Sequence, residues 1–299
     1  MTTLVLPRAR GLWPTLARDP MMLCGLALLL ALVALAMLAP WITWHDPAAL
    51  APRLRLKPIS EGYWLGTDSL GRDLFSRVLY GGRLSITLAA LVAVISVCAG
   101  LALGILAGYF RRLDGFIMRI IDGIMAIPGL LLAIAMVALG GASIPTMVIA
   151  ISIPEIPRVA RLVRSVVLSV REEPYVEASL GMGTRTVRVL WRHVLPSTIN
   201  PLVVQATFIC ASAILIEAVL GFLGLGFPPE IPSLGSIISE GRAFFQRAPW
   251  IVLFPGAYLA LLILSINLFG DALRDRLDPR MARKRNGCLL YTSPSPRDS

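Results

Sequence analysis

The sequence has little of what soluble enzymes and metal proteins are built from. Charged residues make up only 15% of its 299 positions, against 56% hydrophobic ones, and mean hydropathy is +0.75. So little charge excludes an ordinary soluble domain and points to a polytopic, all-α membrane protein. Histidine occurs twice, as His45 and His193, which argues against a multi-histidine metal site. The four cysteines, Cys24, Cys98, Cys210 and Cys288, form no CxxC. The first three lie in apolar runs and read as small buried hydrophobes. No G-x-x-x-x-G-K-[ST] is present, so the chain builds no phosphate-cradling loop of its own. HExxH, GxSxG and paired acid or histidine constellations are also missing. That leaves no catalytic residue to nominate, no metal ligand set and no cofactor to seat.

What is present is a series of apolar segments. About 20 apolar residues in a helix cross a bilayer core, and six segments qualify: near Met21–Ile42, Leu84–Phe110, Phe116–Leu139, Ile144 to about Val159, Pro201–Leu225 and Trp250–Phe269. Gly140, Gly141 and Pro145 predict a tight turn between the third and fourth. Pro154 and Pro157 are expected to disrupt the fourth, and Pro255 to kink the sixth. The first segment follows Arg8, Arg10 and Arg18. It is too long for a signal-peptide core and no A-x-A-like site follows it, so it reads as a retained first membrane helix.

The net charge of +10 does not call for nucleic acid, because the arginines fall between apolar segments rather than on one soluble face. Six spans put both termini on one side. That side collects nineteen Lys and Arg, from the N-terminus, the Arg111 region, Arg158–Arg192 and Arg274–Arg285, against eight on the other. The positive-inside bias therefore predicts cytoplasmic termini. The last stretch, "NGCLLYTSPSPRDS" from Asn286 to Ser299, has no periodicity and resembles sequencing-adaptor read-through more than a natural C-terminus; it is set aside from the functional reading.

Two segments remain outside the apolar runs. The first, His45–Arg83, contains an amphipathic stretch over Ser69–Leu79. There Leu70, Leu74, Phe75, Val78 and Leu79 share one face and Arg72, Asp73, Ser76 and Arg77 the other. This fits the outer leaflet, the cavity mouth or a substrate-delivery protein. The second holds "VEASLGMGTRTVRVLWRHVLP", Val176–Pro196. Its first half can be helical, with Glu177 suited to a helix N-terminus. Gly181 and Gly183 break it. A second short helix starts near Thr184. Arg185, Arg188 and Arg192 line one face, and Val187, Leu190, Trp191 and Val194 the other. Pro196 is expected to stop it. The result is an elbow too short to span a bilayer. It suits either lipid headgroups or a protein groove.

Among intramembrane acids, Asp122 lies three residues after Arg119 and reads as an interfacial ion pair. For Glu217, helix–helix hydrogen bonding and lining a translocation path stand side by side. The small residues of "LAGYFRR" and "GFLGLG" read as close helix contacts, with pore lining a second reading. Midplane charges are few and no inverted repeat is evident. These absences weigh against an ion-gradient secondary transporter or channel, which stays the alternative.

The elbow resembles the EAA loop of ABC importer permeases. Glu177, Ala178 and Ser179 begin the pattern, with Ser179 in place of the second alanine. Gly183 falls on its glycine, and His193, Leu195 and Pro196 at its end. "WLGTDSLGRDLFSRVLYGGRLS" from Trp64, "GFLGLGFPPEIPSLGS" from Gly221 and "NLFGDALRDRLDPR" from Asn267 resemble the dipeptide/oligopeptide/nickel branch, on the side of its "C" subunit. Leu234 departs from a frequent tryptophan, and Pro154–Pro157 lacks a common aromatic residue. The resemblance implies a type I ABC importer permease fold, divided as 1–83 (first helix and outer loop), 84–270 (core with coupling loop) and 271–299 (tail). It implies that the elbow, with Arg185 and Arg188 for ionic contact, docks on a separate cytoplasmic ATPase, so this chain is no enzyme and ATP binds the partner subunits. The implied partners are a sister permease, two ATPase subunits and an extracytoplasmic substrate-binding protein, in a bacterial plasma (inner) membrane. The implied cargo is peptides, or nickel and related small solutes.

Overall fold

A computed structural model describes residues 20–277. The N-terminal arginines, Cys288 and the Asn286–Ser299 stretch lie outside the described residues. Eleven α-helices follow in chain order: α1 Pro20–Met37, α2 Ala39–Ile42, α3 Leu74–Tyr109, α4 Arg111–Met125, α5 Gly129–Gly140, α6 Ile144–Arg171, α7 Pro174–Gly181, α8 Thr186–Val189, α9 Leu195–Phe222, α10 Leu234–Arg242 and α11 Trp250–Leu277. A 3-10 turn covers Pro52–Leu54 and a π turn Leu190–Val194. The described residues contain no strand, only two isolated bridges in the loop before α3.

All six apolar segments are helical, with altered bounds. Among the described residues three helices are long and apolar enough to cross a membrane: α3, the continuous run Thr186–Phe222, and α11. The third apolar segment falls on the pair α4 and α5, which is bent by 80° at Ala126–Pro128, the shape of a broken span or a re-entrant loop. Proline forces this break, because the residue before it is driven out of the α region. The first segment is shorter than expected, with α1 ending at Met37 before Pro40. The fourth is longer. Pro154 and Pro157 do not disrupt α6, which runs 28 residues to Arg171 with both prolines buried. Neighbouring helices support the freed backbone there; Pro154 packs against Gly129 of α5. Its charged residues keep α6 from passing as a span by composition.

The spine of the bundle is the α3–α6 crossing. Gly100, Gly104 and Gly108 recur every four residues on α3 and face Val159, Val163 and Val167, spaced the same way on α6. A Cβ on Gly104 would sit 2.6 Å from Val163 Cβ and 2.7 Å from the Ala160 carbonyl oxygen. Such a small-residue stripe brings two backbones together where apolar lipid offers no hydrophobic drive between helices. α9 packs across α3, α6 and α11, and α1 lies on α11, where Tyr258 Oη donates to the Leu32 carbonyl at 2.9 Å. Cys24 and Cys98 are exposed on the outside of the bundle rather than buried, and Cys210 is half-buried. Apolar sequence in a membrane protein signals lipid or partner contact as readily as a core.

Candidate functional site

The elbow begins where α6 ends. Glu173 caps α7 with Pro174 in its first turn, where a missing N–H costs nothing. Val176 and Ser179 are buried and anchor α7 to the bundle, while Glu177 and Ala178 face outward. The helix closes in a tight turn. Met182 N–H donates to Ala178, Gly183 N–H to Leu180 and Thr184 N–H to Ser179. Gly183 has φ +82°, a left-handed conformation that costs a side-chain-bearing residue roughly 1–2 kcal/mol. A Cβ there would meet nothing within 4 Å. The glycine is therefore required by the turn, and the space in front of it is open.

The second arm differs from expectation. Pro196 does not stop it: α8, the π turn and α9 form one 37-residue helix, Thr186–Phe222. Leu195 N–H reaches back five residues to the Leu190 carbonyl. This wider turn accommodates the proline ring, which a regular turn would press against a carbonyl. Ser197 Oγ and Thr198 Oγ1 donate to the His193 and Leu195 carbonyls, each at 2.8 Å. The elbow's second arm is thus the end of a membrane helix.

The oily face is also split. Leu190 and Val194 turn inward, Val194 fully buried together with Val189. Val187 and Trp191, one turn apart, are 64% and 70% exposed. Tyr175, Leu180 and Met182 are exposed beside them in the chain. Arg185, Arg188 and Arg192 are also exposed. The Tyr175 and His193 rings lie 5.5 Å apart and join the two arms. The outward surface is therefore mixed, apolar and cationic. Glu177 makes no ion pair among the described residues. The lower end of α6 is tied back to α4 by Arg161–Asp122 and Arg164–Asp114, both 2.6 Å. Asp122 is thus in an ion pair, with α6 rather than with Arg119.

Glu217 is fully enclosed, with Ser85 Oγ of α3 donating to its Oε2 at 2.7 Å and Oε1 without a partner. Sequence reasoning missed two clusters. One is Glu155 on α6, buried, holding Arg158 at 2.9 Å and accepting from Ser212 of α9 at 3.2 Å. An acid between two prolines in an apolar helix was its visible signal. The other corrects the Ser69–Leu79 stretch. α3 begins at Leu74, capped by Asp73, and the supposedly open polar face is shut in. Arg72 and Arg77 both pair with Asp68 and with Glu240 of α10. Both arginines and Asp68 are at most 3% exposed. Burial pushes the Asp68 carboxyl up, but Arg77, Arg72 and the backbone N–H groups of Arg72 and Leu70 outweigh it and hold it below its ordinary value. The described residues contain no group of three or more metal-ligating side chains.

Comparison with known proteins follows the same lines. Residues 100–283 match the family model "Binding-protein-dependent transport system inner membrane component", and residues 9–58 match "N-terminal TM domain of oligopeptide transport permease C". A probable peptide ABC transporter permease of Sinorhizobium fredii is 52% identical over 90% of this chain and 92% of its own. A dipeptide transport system permease of Alkalihalophilus pseudofirmus is 41% identical over 91% of this chain and 90% of its own. A glutathione transport system permease of Pectobacterium atrosepticum is 38% identical over 91% of each. Among solved structures, an inward-facing MetNI methionine ABC transporter chain superposes with TM-score 0.54 at 20% identity, covering 67% of this chain and 96% of that one; the likeness is one of fold.

Proposed function

We propose a mechanism for a chain that belongs to the family of binding-protein-dependent transport system inner membrane components: its elbow is the lever by which a separate ATPase opens and closes the membrane helices. The chain is a permease subunit of an ABC transporter. The observation that carries the lever reading is the continuity of Thr186–Phe222. A partner that moves Trp191 moves α9 directly, with no flexible joint between. Glu177–Ser179, the Gly183 turn, Arg185, Arg188, His193, Leu195 and Pro196 make up the docking segment. Arg185 and Arg188 supply cationic contacts, and Val187 and Trp191 apolar ones.

In this reading ATP is bound and hydrolysed by two cytoplasmic subunits, and this chain holds no cofactor. Closure of those subunits on ATP changes the relative stability of inward-open and outward-open states by pushing two elbows, one here and one on a sister permease. An extracytoplasmic binding protein delivers the solute. Both termini face the cytoplasm of a bacterial cell, as the arginine bias supports with or without Arg158 in the count. Residues 84–270 form the transporting core, with 1–83 and 271–299 as flanking units. The names of the relatives point to peptides as cargo. Glu217 lines the path only in a state that separates α3 from α9.

Gly183→Asp tests the lever. It adds backbone strain and a negative charge at an open surface, without touching the buried anchors Val176, Ser179, Val189 and Val194. The variant is expected to insert in the membrane and to lose a co-purifying P-loop ATPase in mild detergent. Retention of the ATPase with full transport would remove the elbow as the dock.

A further inference from the structure

We propose that Arg158, held in place by Glu155, is an anion-recognition site on the translocation path and receives the carboxylate of the transported solute. The inference rests on the peptide-permease reading above and adds the residue that meets the cargo inside the membrane. Glu155 lies eleven residues from Ile144, the first residue of α6, about 17 Å along the helix. Ser212 lies ten residues from the Phe222 end of α9, about 15 Å. The two meet at 3.2 Å, so this polar contact sits near the middle of a core about 30 Å thick. Arg158 is one turn further along, and its side chain is 55% exposed.

A guanidinium at that depth does not face hydrocarbon. Intramembrane arginines turn to protein or to a water-filled cavity. Among the described residues Arg158 bonds only Glu155, through Nη1 to both carboxylate oxygens at 2.9 and 3.2 Å. Its Nε and Nη2 make no hydrogen bond among the described residues. Glu155 is itself 3% exposed and accepts from Ser212, so its capacity is spent on orienting the arginine. The pair is a buried carboxylate fixing an open cation, with a free edge of donors that matches a carboxylate's two oxygens.

A second observation is a cavity one turn away on the same two helices. A cavity of about 420 Å³ opens along the same faces of α6 and α9, toward the elbow end. Leu162 of its lining is one turn beyond Arg158, and Phe208 one turn beyond Ser212. Gln205, Asn200 and Arg274 add amide and guanidinium donors; Arg274 has no ion pair among the described residues. The cavity holds a small solute by volume. Among the described residues the cavity lining carries no acid, and Glu155 nearby is already paired. The groove therefore favours an anionic group at its inner end and along its exit.

The test uses the complete transporter, with sister permease, ATPases and binding protein, in proteoliposomes. In a background with Cys24, Cys98, Cys210 and Cys288 replaced by Ser, Arg158→Cys is treated with an anionic methanethiosulfonate, with and without alanyl-alanine, in ATP-free and ATP-plus-vanadate states. The expected result is modification in at least one state, slowed by the dipeptide. In parallel, Arg158→Gln is expected to raise the KM for alanyl-alanine uptake about ten-fold or more with the complex intact, and Arg158→Lys to recover part of the loss. Glu155→Gln, a change in the positioning residue, is expected to give a smaller KM rise. A cysteine at 158 that stays unreactive in both states means that a sister helix or lipid covers it, and overturns the proposal. So does a KM for Arg158→Gln within two-fold of wild type. Absence of dipeptide uptake by the wild type overturns the peptide reading instead, while the modification result still decides whether Arg158 faces water.

Discussion

The two ends of the molecule treat charge in opposite ways. Beside α10, two arginines and an aspartate are withdrawn from solvent, with Glu240 closing the group at its edge. At the elbow, three arginines stand open next to an exposed valine and tryptophan. The first cluster satisfies itself, joining the loop before α3 to a helix some 160 residues later. The second satisfies almost nothing internally beyond its buried anchors. Charges buried and paired hold one conformation, because removing any partner strands a desolvated ion. An open surface of mixed chemistry gains little until a partner covers it. One end locks the chain to itself and the other leaves it available.

The comparison breaks most sharply at Arg77. Arg77→Ala is expected to destabilise the folded subunit by about 3 kcal/mol, since Asp68 and Glu240 lose a buried cation. Thermal unfolding in detergent, followed by size-exclusion fluorescence, would register it as a large loss of monodisperse protein; wild-type-like behaviour would mean that the cluster is ornamental. Trp191→Ser should do the reverse. Its stability stays within about 0.5 kcal/mol of wild type, as for exposed positions generally. Affinity for the ATPase falls about ten-fold or more, as for an exposed aromatic anchor. Equal effects on both quantities would erase the distinction between lock and dock.

Acid sharpens the contrast least. The Asp68 carboxyl is held below its ordinary value of 3.8. Its contribution is therefore fully present above that value and is lost as pH falls through the lowered folded value. Hydrogen exchange over residues 45–73 should stay slow at neutral pH and quicken only below the ordinary carboxylate range, while exchange over residues 174–185 should change little in that window. Loosening of the outer loop already near pH 6 would assign its order to some other group.

The elbow was largely legible in the sequence, because its signals are local. A glycine break, an acid suited to a helix N-terminus and a spacing of arginines at three and four need only neighbouring residues to be read. Its second arm differs from the sequence expectation, in which Pro196 is a stop. A proline stops a regular helix, but a five-residue back-bond from Leu195 to Leu190 carries the chain past it, and nothing in the local sequence announces that turn. Pro154 and Pro157 were misread for the same reason: packing of α5 on Pro154 decides the outcome. The Asp68–Arg72–Arg77–Glu240 cluster was invisible because its partners are distant along the chain.

Composition and the spacing of apolar runs by themselves determined that this chain is a helical membrane protein, since apolar segments of bilayer length have few other stable homes. The motif at Glu177–Pro196 determined its kinship by the same local means. Only the tertiary structure decided which polar residues are sealed and which are open. In sequence Arg77 reads as part of an open polar face and Arg158 as the start of a basic cytoplasmic stretch. The structure encloses the first between helices and leaves the second half-exposed, because the direction a side chain faces depends on what packs against its helix.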